Sequence, residues 1–375
     1  MEGPRGARSR DLPSLRALTD RVMRVGLVDQ YVQLFHDENV DNLRICVDDG
    51  ICVSHVGMTE VGAVLHGCQI QVACIGGVCT LPEYRKQGLA SACFDDAFRK
   101  AHRDGVDIMI VSGDRNLYRM RGCVHVGSDL QFKLVAGELL ADLEERAARV
   151  TIGVMTEEEL PLVWNCYRAE PVRFVRSPED YYRALQSVRV MDRPSDFLVV
   201  REGGDFRGYL IAPRPDVEGE PQVAEFAGDR HAILAALPQV LRRCGRNSLG
   251  FTALRHDALM RSLCAQAGLQ GTPRTTPGTI TLVNFPQFME RMRPFLMETL
   301  GRRDAARLRF RQKAERCLFA FDEEEVSTDR AEAVRLLFGA PEGLPPSVGN
   351  LNTPLGETLR AVLPLPTLWY GINYV

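Results

Sequence analysis

One stretch, Gly76 to Cys123, narrows the architectures open to this chain more than any other. It begins with a short apolar run ending at Thr80, turns at Pro82, passes through Arg85-Lys86-Gln87-Gly88-Leu89-Ala90, and then becomes strongly periodic. Leu89, Ala90, Cys93, Phe94, Ala97, Phe98 and Ala101 recur at three- and four-residue steps, and Asp95, Asp96, Arg99 and Lys100 fill the opposite face. That spacing predicts an amphipathic helix. Gly105 stops it, and Val106 to Val111 supplies a short buried strand. Strand, loop, helix and strand in this order point to an α+β chain built on mixed sheets.

The loop before the helix has a chemical bias. Gly88 and Ala90 are small enough to let a ligand approach the main chain. Free amides at a positive helix N-terminus suit an anion such as a pyrophosphate, and Arg85 and Lys86 stand beside them. The alternative reading is an ordinary glycine-containing helix start flanked by surface arginines. Neither the Gly-Lys-Ser/Thr of a nucleotide-triphosphate loop nor the three spaced glycines of a dinucleotide fold is present.

The stretch resembles motif A of the GNAT N-acetyltransferases, Arg/Gln-x-x-Gly-x-Gly/Ala, through Arg85, Gly88 and Ala90. The preceding strand, the Leu-Pro-Glu-Tyr-Arg lead-in, the following helix and strand, and Asn116, Tyr118 and Gly122 also fall where that family places them. Cys123 departs from the pattern, since the family usually has Phe or Tyr after the glycine. The resemblance implies acetyl-CoA as co-substrate and no metal. Its contacts would be the strand Val78-Cys79-Thr80 for the pantetheine arm, Arg85, Lys86, Gln87, Gly88, Leu89 and Ala90 for the pyrophosphate, and Asn116. Tyr118 would be the acid that protonates the departing thiolate, which a phenol of pKa about 10 can do.

At 375 residues the chain is too long for one compact core. A formal net charge of -3 advertises neither nucleic acid nor an anionic membrane, and no apolar run approaches the roughly 20 residues that span a bilayer. The N-terminus lacks the apolar core of an export signal, and residues 1 to about 12 read as a frayed tail. The 11 cysteines are scattered over apolar segments without a Cys-x-x-Cys pair, which argues for reduced, packed thiols in a cytoplasm and against zinc or a disulfide framework.

Taken in order, a helix is expected from Ser14, as N-cap, to Gly26, with Leu15, Leu18, Val22 and Val25 inward. A hairpin follows about Asp48-Asp49-Gly50, and the sheet continues into the loop. From about residue 146 the plan repeats: a strand at Val150 to Val154, helices through Tyr182, a hairpin about Gly203-Gly204, a strand ending at Gly228, a helix from His231, a strand and a last helix ending at Gly268. Where the phosphate loop should recur, the chain reads Ala227-Gly228-Asp229-Arg230-His231-Ala232, and a carboxylate there repels pyrophosphate. This copy is expected to bind no coenzyme A.

From Asn284 a helix, a basic cluster (Arg302 to Arg316), an acidic run at Asp322 to Glu325 and another helix ending at Gly339 are expected, the two charge runs screening one another. Residues 341–356 read as a Pro- and Gly-rich loop. The end, LPLPTLWYGINYV, is too apolar to lie in water, so it should be docked with its α-carboxylate.

This order resembles the Eis-like acetyltransferases, which implies a catalytic GNAT domain at 1–145, a degenerate GNAT-like domain at 146–283 and a small α+β domain at 284–375 related to sterol carrier proteins, the docked tail entering the active site. Homo-oligomers follow from the same resemblance. The central strand has no Glu to serve as base; His55, His66 and His125 remain candidates, and the apolar tail favours the Val375 carboxylate. An exposed α-carboxyl titrates at about 3.3 to 3.7, so burial must strengthen it. The expected activity is acetyl-CoA-dependent N-acetylation of a small primary amine, polyamine- or aminoglycoside-like. The alternatives are acylation of protein lysines and a non-catalytic acyl-CoA-binding scaffold.

Overall fold

The computed structural model describes residues 1–375 apart from 139–140, 192, 216 and 341–351. They form two compact units: Met1–Val126 with Pro277–Leu365 and Asn373–Val375, and Gly127–Thr276 with Pro366–Ile372. The stretch read as a loop over 341–356 lies outside the described residues as far as Leu351; beyond it, Pro354–Val362 is a helix with Thr353 as its N-cap.

The first unit is built on a sheet in which β1 (Glu2–Gly6), β2 (Arg44–Asp48), β3 (Ile51–Leu65), β4 (Cys68–Thr80), β5 (Ile108–Val111) and the strand Thr279–Leu282 lie side by side in that order. Two tight turns make its centre. Asp49 and Gly50, at φ 46° and 77°, join β2 to β3, and His66 and Gly67, at φ 46° and 80°, join β3 to β4. A left-handed pair of this kind matches the strand twist of a two-residue hairpin. The β3–β4 pairing is antiparallel, whereas β4 and β5 are parallel, from Val72 opposite Ile108 to Ile75 opposite Val111. Between these two strands the chain crosses over through α3 (Leu89–Arg103), as a parallel connection requires. Cys93, Phe94, Ala97 and Ala101 of α3 are buried, on the face the apolar spacing predicts.

Several expectations are corrected. Residues 2–6 are not frayed: β1 pairs with β2, and the Met1 ammonium lies 3.0 Å from Asp48 Oδ1. Its backbone hydrogen bonds carry that pairing, and composition does not reveal them. Helix α1 (Leu12–Val22) starts two residues before Ser14 and ends four residues short of Gly26. Pro13 fits its first turn, where no N–H is needed, and the Ser14 hydroxyl instead accepts from the Cys52 N–H at 2.8 Å. Leu15 and Leu18 are buried, but Val25 is 79 % exposed. The helix expected after Asn284 is two, Phe285–Arg291 and Arg293–Arg307, followed by a three-stranded meander, Leu308–Lys313, Arg316–Phe321 and Glu324–Asp329. The acidic run therefore enters a polar edge strand, and Arg307 pairs with Asp322, so part of the basic cluster is screened internally.

In the second unit, Val150–Val154, Arg193–Glu202, Asp205–Pro213 and Glu225–Gly228 form one sheet, with Gly203-Gly204 at the hairpin. The buried helix Arg230–Cys244 packs against it. Asp129–Val135, which the chain order assigns to the first domain, pairs here with Ser248–Ala253 and with Thr272–Arg274. Conversely Thr279–Leu282 pairs with β5 in the first unit. Partner choice by such short apolar strands depends on which edge is open, which spacing does not encode. All 11 cysteines are free thiols, ten of them buried.

Candidate active site

The site begins where β4 and β5 part. Their last register pair is Ile75 and Val111, closed by a Ser112 N–H to Ile75 carbonyl bond of 3.1 Å. Beyond it β4 continues alone on that side through Val78, Cys79 and Thr80, still paired with β3 through Ser54 and His55. A strand edge left open in this way offers backbone groups to an extended ligand. Arg115 holds one of them, donating to the Val78 carbonyl at 3.4 Å.

After Thr80 comes the loop. Arg85 and Lys86 are exposed, and Arg85 Nε donates to the Thr80 carbonyl at 3.2 Å, which keeps the guanidinium beside the end of β4. Gln87 donates to the Glu83 carbonyl at 3.4 Å. Gly88 sits at φ 79° as the N-cap of α3; a β-carbon there would meet nothing, so the glycine serves the left-handed conformation rather than the space. No side chain caps the helix and no acidic residue lies in its first turn, so the amides from Leu89 and Ala90 onward face outward with the helix dipole behind them. The donor set fits a pyrophosphate.

A cleft of about 410 Å³ connects these groups. Val78, Cys79, Thr80, Arg85 and Ala90 line it, as the sequence implied, together with Val22, Met23, Arg115 and Leu117. Lys86, Gln87, Gly88 and Leu89 belong to the loop without lining the cleft, and Asn116 is exposed at the start of α4 (Asn116–Arg119). Arg115 was within reach of sequence reasoning as the neighbour of Asn116; Val22 and Met23, more than fifty residues away in the chain, were not.

Tyr118 lies on α4, only 3 % exposed, its ring 5.6 Å from that of Phe94 and against Gly113; it does not itself line the cleft, whereas Arg115 and Leu117, just before it in the chain, do. Burial raises its pKa above the ordinary value of 10.0, so the phenol is protonated at neutral pH. Val375 is 1 % exposed and its carboxylate lies directly on Gly76, the residue after the last β4–β5 pair. A β-carbon on Gly76 would overlap that carboxylate. Tyr374 packs edge-on against Tyr31 at 6.2 Å.

The three histidines differ. His66 stacks on Phe295 and His125 reaches Asp114 at 3.0 Å. His55 is wholly buried on β3; its Nδ1 is 2.8 Å from the Gly77 carbonyl, which assigns the proton to Nδ1 and leaves Nε2 a bare acceptor without a partner among the described residues. Burial lowers its pKa to about 4. Below the unfolded value of 6.5 the unfolded chain takes up a proton that the folded one refuses, so stability is complete above that pH and declines as pH falls toward about 4, by on the order of 3 kcal/mol. Urea midpoints at pH 4.5 and 7 should differ less in His55→Gln than in the wild type; equal differences would rule this out.

Residues 4–126 match the family described as Acetyltransferase (GNAT) domain. Over that stretch the chain is similar to a GNAT acetyltransferase domain. Solved structures agree on the fold of the whole. A conserved protein of unknown function from Enterococcus faecalis V583, described as a probable N-acyltransferase, is 14 % identical with a TM-score of 0.63, over 97 % of this chain and 98 % of its own. A GCN5-related N-acetyltransferase from Kribbella flavida is 14 % identical at TM-score 0.57, over 86 % and 83 %. Eis1 from Mycobacterium abscessus is 13 % identical at TM-score 0.57, over 96 % of both chains. The chain matches no curated protein. Over nearly its whole length the chain shares its fold with these structures, Eis1 among them, and residues 4–126 are the part similar to the acetyltransferase family. Among the described residues no helix is long and apolar enough to cross a membrane.

In the second unit Gln222 and Gly250 form a single parallel bridge, and beyond it Glu225–Gly228 and Ser248–Ala253 lie in different sheets. At the N-terminus of its helix Arg230–Cys244, the Asp229 carboxylate accepts from the Ala232 N–H at 3.0 Å, filling the position a phosphate would take. Arg230 is bound to Glu170 and Asp257.

Proposed function

We propose that the protein is an acetyl-CoA-dependent N-acetyltransferase acting on a primary amine of a small molecule, with the terminal carboxylate of Val375 as general base and Tyr118 as general acid. The observation that carries this reading is the burial of the chain's last carboxylate on Gly76, at the point where β4 leaves β5. Chain termini are ordinarily loose and solvated; a terminus buried on β4 two residues before Val78, where that strand begins to line the cleft, has a chemical use.

In this reading the loop amides and Arg85 hold the pyrophosphate, and the open edge of β4 at Val78 to Thr80 aligns the pantetheine arm once Arg115 yields the Val78 carbonyl. Lys86, Gln87, Gly88, Leu89 and Ala90 shape the loop, and Asn116 flanks it. Amine nitrogen bonds to the acetyl carbon, the carbon–sulfur bond breaks, the amine proton passes to Val375 and the Tyr118 proton to the thiolate. Holding the two reactants together supplies much of the acceleration, and each positioned proton carrier adds roughly 10²- to 10⁴-fold.

The test is acetyl-CoA binding by calorimetry followed by thiol release with diamines, aminoglycosides and lysine peptides. Release with small amines supports the reading, release with peptides alone replaces the acceptor class, and failure to bind acetyl-CoA refutes it. Arg85→Ala should weaken acetyl-CoA roughly 10- to 100-fold, the scale of a lost charge-assisted hydrogen bond, with kcat at saturation little changed; an unaltered Kd would remove Arg85 from the site.

A further inference from the structure

In the second unit an ion pair is sealed from water. Arg176 and Glu225 have side chains 0 % and 4 % exposed and make two parallel bonds, each 2.8 Å. Tyr209 donates to the same carboxylate at 2.5 Å, Arg176 donates to the Tyr181 hydroxyl at 3.2 Å, and the guanidinium lies over the Tyr167 ring at 3.8 Å. A pair like this contributes little net stability against an apolar replacement, because desolvating both charges offsets their attraction. What it can contribute is specificity, and its remaining bonds show for what.

Those bonds go to the chain's own end. Arg176 Nη2 donates to the Tyr370 carbonyl at 3.3 Å, and the Ile372 N–H donates to Glu225 Oε2 at 3.4 Å. One residue earlier, the Trp369 indole N–H donates to the Ala224 carbonyl on the adjoining backbone at 2.5 Å. Gly371 completes the turn at φ 50°, and a β-carbon there would overlap Glu225 Oε2. Ile372 itself is 4 % exposed. Three residues beyond this grip the chain ends in the carboxylate on Gly76.

We propose that the Arg176–Glu225 pair is a clamp on Tyr370, Gly371 and Ile372 that positions the Val375 carboxylate for catalysis. These are positioning residues: they act through the tail and touch no substrate. The degenerate GNAT copy thereby has a task in the reaction, holding the end of the chain instead of a coenzyme. The inference rests on the reading of Val375 as the base.

The experiment uses the full chain. Gly371→Ala pushes a methyl into Glu225 and strains the left-handed turn; Trp369→Phe keeps a ring and loses the N–H. Carboxypeptidase trimming, followed by intact mass, should remove Val375 and Tyr374 at least 10-fold faster from Gly371→Ala and measurably faster from Trp369→Phe. In Gly371→Ala, kcat should fall at least 30-fold with the acetyl-CoA Kd within twofold of wild type. In a chain already lacking Val375, Gly371→Ala should cost no further activity. Wild-type trimming rates in both variants would overturn the clamp, as would loss of acetyl-CoA binding alongside kcat, which marks general damage. Should removal of Val375 leave turnover intact, the base assignment fails, and the trimming rates alone then judge the clamp.

Discussion

Removing the terminal carboxylate is expected to abolish most turnover while leaving acetyl-CoA binding untouched. Deleting Val375 leaves a new carboxylate on Tyr374, but one residue of extended chain is about 3.3 to 3.6 Å, so the charge no longer reaches Gly76. Appending one glycine converts the carboxylate of Val375 into a neutral amide at the same place. Gly76→Ala attacks from the other side: Gly76 lies in β4 opposite Gly57, outside the left-handed region, so alanine fits the strand and only the tail must move. All three variants should lose roughly 10²- to 10⁴-fold in kcat, the range of a general base, with the acetyl-CoA Kd within about twofold to threefold. Steady-state kinetics beside calorimetry decides the matter. Retained turnover in all three would transfer the base to another group, His55 with its bare Nε2 being the nearest to consider.

Tyr118→Phe should have an effect of similar size for a different reason. The ring packs against Phe94 and Gly113, and phenylalanine preserves both contacts, so the melting temperature should hardly change. Only the hydroxyl proton is lost. With no acid, the thiolate must leave unprotonated, and kcat should drop by about 10²-fold or more. The pH profile gives a second reading. Because burial raises the phenol above its ordinary value of 10.0, wild-type activity should hold through neutral and mildly alkaline pH and fall only as the phenol ionises at higher pH. Tyr118→Phe should lack that alkaline limb. A variant with wild-type kcat, or one that keeps the limb, would leave Tyr118 as a packing residue beneath the cleft.

The residues differ in how far they could be read in advance, and the differences have physical causes. Helix α3, the Asp49-Gly50 hairpin and the Gly203-Gly204 hairpin were legible because their signals are local: apolar spacing in one case, φ-permissive turn residues in the others. Strand β1 was not, since its residues, Glu-Gly-Pro-Arg-Gly, have no strand preference and are held by β2 and by the Met1–Asp48 pair. The helix Pro354–Val362 was hidden by its own N-terminal proline, which reads as a loop until the Thr353 cap is seen.

The sequence by itself determined the chemistry on offer: a glycine at the start of an uncapped helix, basic residues before it, a tyrosine after the next strand and an apolar end that must find cover. These depend on residue type and short spacing, which a linear chain carries openly. Only the tertiary structure decided where the far pieces go. It set Arg115 on the Val78 carbonyl, Val22 and Met23 in the cleft, and the Val375 carboxylate on Gly76. Each of these joins positions tens to hundreds of residues apart. Such contacts are chosen by the shape and open edges left after the local elements have formed, and no spacing along the chain records them.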